Sequence, residues 1–273
     1  MSRILDARIL VGRETGLAYP SGILYDGQNR NLWIVDMGNR RLVCFDQIRH
    51  GFQSFDTSPV FRRPLAITRL DGRLVVSDAL DNTIWIRQTD KTWDSLVSPD
   101  ELTPPLDFPG SVAADQWGNL YFTDFHHDRI CRRNREGRLT VLDGIPCRQP
   151  YGIAVWDSLL FVTDTACGRI LCYSLKDGRC TALAGETPAG FLPIAVAADE
   201  MGDLYISTVR AIYLYQRGQG RLERLLDSSL WKNLRGTKLG HIGALAALPD
   251  GALVFSDTLR NELYYLRISK SDG

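Results

Sequence analysis

A chain of 273 residues with 44% apolar and 10% aromatic side chains can bury a substantial core, which excludes a disordered tail. Its 32 basic residues match its 32 acidic ones, so no global field draws it to nucleic acid or to a membrane surface, and any such binding must come from a local patch. No apolar run approaches the length of a bilayer-crossing helix.

The first segment, "MSRILDARILVG", interrupts its apolar residues with Arg3, Asp6 and Arg8 and holds no continuous stretch of the kind a signal peptide needs. A cytoplasmic protein is expected, with its six cysteines kept as thiols; their spacing fits no zinc module. From Tyr19 onward the chain repeats itself. Copies begin at "YPSGILYD", "RPLAITRL", "FPGSVAAD", "QPYGIAVW", "LPIAVAAD" and "HIGALAAL", with the proline at Pro20, Pro64, Pro109, Pro150 and Pro193 and Ile242 in its place in the sixth. The steps are 44, 45, 41, 43 and 49 residues, the length of one small antiparallel sheet.

Each copy holds a short apolar run, a Gly- or Asp-bearing turn, and a second run such as "LWIVD", "LYFTD" or "LFVTD". A polar turn, a third run, a hairpin such as "NREGRL" and a fourth run follow. Four strands per copy without helical periodicity predict an all-β chain. Second strands that are apolar at successive positions predict sheets buried on both faces, as when blades stack around an axis. The sixth copy ends after its third strand, and "ARILVG" resembles the fourth strands "LTVLDG" and "CTALAG". The N-terminal strand, about residues 7–12, is therefore expected to complete the last blade and hide an edge. The reading is a single six-bladed β-propeller domain over residues 1–273.

The copies resemble the NHL repeat, with "QPYGIAVWDSLLFVTDTACGRI" and "FPGSVAADQWGNLYFTDFHHDRI" closest to its pattern. The resemblance implies a six-bladed propeller and leaves function open, since such propellers include RNA- and protein-binding modules, amidating lyases and hydrolase-like relatives. In the amidating lyases the zinc histidines directly follow the repeated proline; here those positions are Ser21, Leu65, Gly110, Tyr151, Ile194 and Gly243. A zinc site of that kind is not expected, and no cofactor is. For the cation site of gluconolactonase-like propellers, Glu14 and Asp107 lie near the right face without forming a constellation.

Comparing copies separates scaffold from site. The acid that closes the second strand recurs as Asp36, Asp78, Asp124, Asp164 and Asp257, and is expected to accept N–H groups of the turn that follows it. Arg41, Arg129 and Arg169 recur with it. Three residues after the acid the copies diverge to Asn39, Asp81, His127, Cys167 and Arg260. These rim residues, His127, Cys167 and Arg260 among them, are candidate ligand contacts. His126, one place earlier, reads as a solvent-facing turn residue. Cys147 and Cys167 are near enough in the pattern for a disulfide, although two reduced thiols fit a cytosolic chain better.

Residues flanking the repeated proline converge on the channel mouth. Tyr19, Phe108 and Gln149 are candidate ligand contacts there. His241, Tyr151 and Arg63 are candidate catalytic groups: a general base, a proton donor and a clamp for an anion. Two functions stay open. One is a monomeric binding propeller whose upper-face loops and channel mouth take a protein, an anionic small ligand or, through arginines and aromatics, RNA. The other is a metal-independent lyase, hydrolase or cyclase at the mouth.

Overall fold

The computed structural model describes residues 3–47, 49–183 and 187–270. Six four-stranded antiparallel sheets form the blades of a propeller. The first five span residues 20–57, 64–97, 112–141, 150–182 and 196–227, each running from the axis outward in sequence order. The sixth takes three strands from residues 242–269 and its outermost strand from Arg3–Val11, which pairs antiparallel with Glu262–Ser269. The closing strand thus starts earlier than the "ARILVG" pattern suggests, because Arg3 and Ile4 continue the ladder with Ser269 and Ile268 past a register shift.

Among the described residues six apolar clusters form the core, one in each gap between neighbouring blades. The second strand of blade one shows why its sequence is apolar at successive positions. Leu32 and Ile34 pack towards blade six while Val35 packs towards blade two. Alternation across the pleat serves two gaps at once.

A Ser or Thr at the end of the second strand in blades two to six fixes the entrance of the innermost strand; an Asp follows it in four of them, Thr208 follows it in blade five, and blade one has Val35 in its place. In blades two to six the hydroxyls of Ser77, Thr123, Thr163, Ser207 and Ser256 accept the backbone N–H of Ala66, Ser111, Gly152, Ala195 and Ala244, at 2.6 to 3.2 Å. In blades two, four and six these residues fall at register shifts, where the ladder leaves that N–H unpaired. The position must also be small. A Cβ on Gly152 would lie 2.4 Å from the carbonyl oxygen of Ile194 on the next blade, so the innermost strands stand shoulder to shoulder.

The aspartates then grip the incoming loop rather than chiefly the turn that follows them. Asp36 accepts the N–H of Ala18, Asp78 those of Arg62 and Arg63, Asp124 that of Asp107, Asp164 that of Arg148, and Asp257 those of Gly240 and His241. In Asp78 and Asp257 the following turn contributes as well, through Leu80, Asp81 and Arg260. Arg41, Arg129 and Arg169 pair with their aspartates at 2.6 to 2.7 Å, as the recurrence implied.

The repeat-based reading missed one helix, α1 (Ser228–Arg235), between blades five and six. The Asp227 carboxylate caps it by accepting the N–H of Leu230, and Gly236 ends it in a left-handed conformation. Its Trp231 is fully buried against Tyr264 and Phe255, and Arg235 donates to the carbonyl oxygen of Ala7 on the closing strand. A single turn of apolar residues in eight gave too short a pattern to read as a helix. No described helix is long and apolar enough to cross a membrane.

Candidate functional site

The axial channel is narrow. Its lining carries Ser21, Leu65, Gly110, Tyr151, Ile194 and Gly243 on the innermost strands, around a cavity of about 100 Å³. Chemistry with room for a ligand therefore belongs above it, where the loops open.

An aromatic group occupies the upper mouth across blades two to four. Phe108 stands 5.3 Å from Phe125, 5.3 Å from the His126 ring and 6.4 Å from Tyr151, and the Arg63 guanidinium lies 5.5 Å above the Phe108 ring. Phe125 closes the group at 6.0 Å from Tyr151, edge to face. Such contacts hold aromatic side chains in place beyond their burial, and the cation over the ring adds attraction. Burial raises the Tyr151 hydroxyl above its ordinary pKa, against the opposing charge of Arg63, so it remains a proton-bearing donor. Beside this group a cavity of about 320 Å³ is walled by Phe125, His126, Asp128, Arg148 and Gln149.

The structure redistributes the residues expected at the rim. His127 turns inward, with Nδ1 at 3.1 Å from both Asp124 oxygens; Asn39 makes the same bond to Asp36 at 2.8 Å. His127 and Asn39 thus make the same bond to the strand-closing aspartate of their own blades. Cys167 is exposed above Asp164, with its thiol pKa raised by desolvation and that carboxylate. Arg260 pairs with Glu262 at 3.0 Å, and Tyr264 donates to the same carboxylate. His126 is half-exposed, but it is more than a solvated turn residue: it packs on Phe108 and Phe125, and Nδ1 lies 3.1 Å from Asp107. Cys147 and Cys167 are both free, and the buried Cys147 thiol lies 3.4 Å from the carbonyl oxygen of Asp128.

His241 does not join Tyr151 and Arg63. Its ring Nδ1 is 2.9 Å from the Thr258 hydroxyl, on its own blade six, across the axis from the aromatic group. Burial lowers its pKa below the ordinary 6.5, with Asp257 opposing, so the ring is neutral near pH 7.

Tyr19, Phe108 and Gln149 share an unexpected feature: all three have left-handed backbones, at φ 51, 60 and 48°. Each donates its N–H to a side chain of the preceding blade, from Tyr19 to Asn261, Phe108 to Asn82 and Gln149 to Asp128, at 2.7 to 2.9 Å. The acceptor is always the fourth residue after the strand-closing aspartate. Where that place holds Arg40 or Gly168, no such acceptor exists, and Arg63 and Leu192 on the next blades keep negative φ. The Asn or Asp in the turn is a signal that the sequence carried.

Around the mouth the upper loops expose Tyr19, Leu80, Leu192 and Leu259, each about half or more accessible. Arg62, Arg148 and Arg210 enter no ion pair among the described residues. Among the described residues, no three His, Cys, Asp or Glu side chains lie close enough to hold a metal ion.

No protein-family model and no curated protein sequence matches the chain. Solved structures do. A gluconolactonase of Xanthomonas campestris is similar with a TM-score of 0.77 at 18% identity, covering 98% of this chain and 91% of that one. Virginiamycin B lyase from Staphylococcus aureus gives 0.70 at 15% identity, over 96% and 98%. A chain of the nidogen/laminin complex gives 0.69 at 18%, over 85% and 86%. Likeness at these identities extends to architecture, and with the six sheets it makes the chain a six-bladed β-propeller.

Proposed function

We propose that this chain is a binding propeller whose upper mouth takes an anionic ligand with a planar apolar part. One observation carries the reading: the Arg63 guanidinium rides over Phe108 within a group that also holds Phe125, His126 and Tyr151. The rings offer faces for a flat group, Arg63 and Arg148 offer charge, and Tyr151 offers a donor. The exposed leucines around the mouth suit an anionic side chain presented on a protein partner as well as a free small molecule. The nidogen/laminin neighbour belongs to a protein complex, which favours this class of use for the architecture.

The test uses 4-hydroxybenzoate as probe, followed by ligand-observed NMR. Saturable binding that weakens about tenfold or more in Arg63→Glu and in Phe125→Ala supports the site. Absence of saturable binding, or equal binding by both variants, overturns it.

A second reading, an enzyme at the mouth, has His241 on its side. A neutral imidazole held by Thr258 near the channel suits a general base, and the lyase and gluconolactonase neighbours are enzymes. Turnover of a lactone or cyclic ester that disappears in His241→Gln would favour it.

A further inference from the structure

The gap between blades one and two opens outward. Near the axis it is closed by Val35, Leu42, Ile67 and Val76. Towards the outer strands, away from the upper mouth, it opens into a cleft of about 720 Å³ between blade-one residues 26–57 and blade-two residues 69–91. That volume lies within the usual range of small-molecule sites.

Its walls carry a buried polar atom that the fold leaves unpartnered. Asn31 is 7% exposed, and its amide nitrogen donates to Gln53, yet its Oδ1 is buried with no hydrogen-bond partner among the described residues. Arg87 Nε and Asp56 Oδ2 approach to 2.5 Å as an ion pair across the cleft. A buried polar atom without a partner is uncommon in a folded chain, and Asn31 Oδ1 is one. Gln53 is held in place by donating to Asp46 at 2.7 Å, and Asp26 is tied to Arg69 at 2.9 Å. An aromatic face accompanies them: Trp33 lines the cleft with the Arg87 guanidinium 5.8 Å from its ring, and Phe55 stands half-exposed at the rim.

The charges do not balance. Asp26 and Asp56 are matched by Arg69 and Arg87, which leaves Arg73 and Lys91 on the wall; Arg73 donates to Gln88, which bridges to Asp94. The occupant must therefore donate to Asn31, lay an apolar face on Trp33 and bring negative charge towards Arg73 and Lys91. A polyhydroxylated ring presents alternating donors and acceptors around an apolar C–H face. A metal ion does not fit, because both carboxylates already hold arginines. We propose that the cleft between blades one and two is a second ligand site, for a monosaccharide bearing a carboxylate.

The probe is D-glucuronate, titrated calorimetrically and by ligand-observed NMR into the full chain. Saturable binding is expected, about tenfold or more weaker in Arg73→Glu and in Phe55→Ala, whose folding is checked by thermal melts. The exposed charge reversal Lys176→Glu, on blade four, should leave the affinity as it was. D-Glucose, lacking the carboxylate, should bind about tenfold more weakly. The proposal is overturned if glucuronate does not saturate, if Arg73→Glu and Lys176→Glu behave alike, or if acetate displaces it at equal concentration, which would reveal an anion contact without sugar recognition.

Discussion

The Asn82 side chain of blade two accepts the backbone N–H of Phe108 on blade three at 2.9 Å, and both residues have left-handed backbones. A phenylalanine at φ 60° costs free energy that its surroundings must offset, and the bond from the neighbouring blade does so. The blade-to-blade bond thereby sets the direction in which the Phe108 ring leaves the chain, at the centre of the proposed site.

Replacing Asn82 with Ala should cost about 1 kcal/mol of stability, read as a lower urea midpoint at constant slope. It should also weaken 4-hydroxybenzoate binding, because the Phe108 backbone is released to ordinary φ. Unchanged binding in a destabilised Asn82→Ala protein would show that the ring is placed by its aromatic neighbours instead.

Asp124 is fully buried and receives the N–H of Asp107, Nδ1 of His127 and Nε of Arg129. Asp124→Ala leaves the largely buried Arg129 without its partner and should destabilise the chain by about 3 kcal/mol. His127→Asn, which restores the arrangement seen at Asn39, should cost far less. Chemical denaturation of the two variants side by side measures the contrast.

The lowered pKa of His241 makes a pH prediction. With the folded value below 6.5, the unfolded chain binds more protons on acidification. The contribution to stability is fully present above pH 6.5 and is lost as pH falls through the folded value. His241→Gln should flatten that part of the stability profile between pH 7 and 5, measured by urea unfolding at fixed ionic strength. A profile identical to that of the parent chain would mean that His241 is as solvated when folded as when unfolded.

Thiol reactivity should follow burial. Cys131 and Cys147 are pushed up to about 12 by desolvation, whereas Cys167 is exposed. Titration with Ellman's reagent at pH 8 should modify Cys167 first, and Cys131 and Cys147 only after unfolding. Early loss of the Cys147 thiol would indicate that the loop entering blade four opens readily.

The propeller was legible because its signals recur: a proline spacing near 44 residues, second strands apolar at successive positions, and an N-terminal strand matching the missing fourth strand of blade six. What the copies share was easier to read than what the shared residues do. The Ser or Thr before four of the five aspartates was there to read, but in three blades its role depends on a register shift in the neighbouring strand, which a linear pattern does not display. The site was harder still. His127 looked distinctive by type and proved equivalent to Asn39 by hydrogen bonding, whereas Phe125 and His126 joined Phe108 of their own copy and, through Phe108 and Phe125, Tyr151 of the next. With Arg63 from the second copy, residues of three copies meet there, and the comparison of copies that brought Arg63, Phe108 and Tyr151 to the mouth did not show that Phe125 and His126 pack with them.

The closing sheet also determines how the molecule would respond to force. Arg3 faces Ser269 across the antiparallel pair, so both ends of the chain leave from the same end of one ladder. Tension applied through the termini would load those hydrogen bonds one after another, from Arg3 towards Val11, as a zipper opens, instead of shearing them together. Lys270, bound to Asp199 and Asp203 on blade five, would take the load on the other strand first. The ring should therefore part at its seam under modest pull, leaving the five covalently continuous blades for later events in the extension trace.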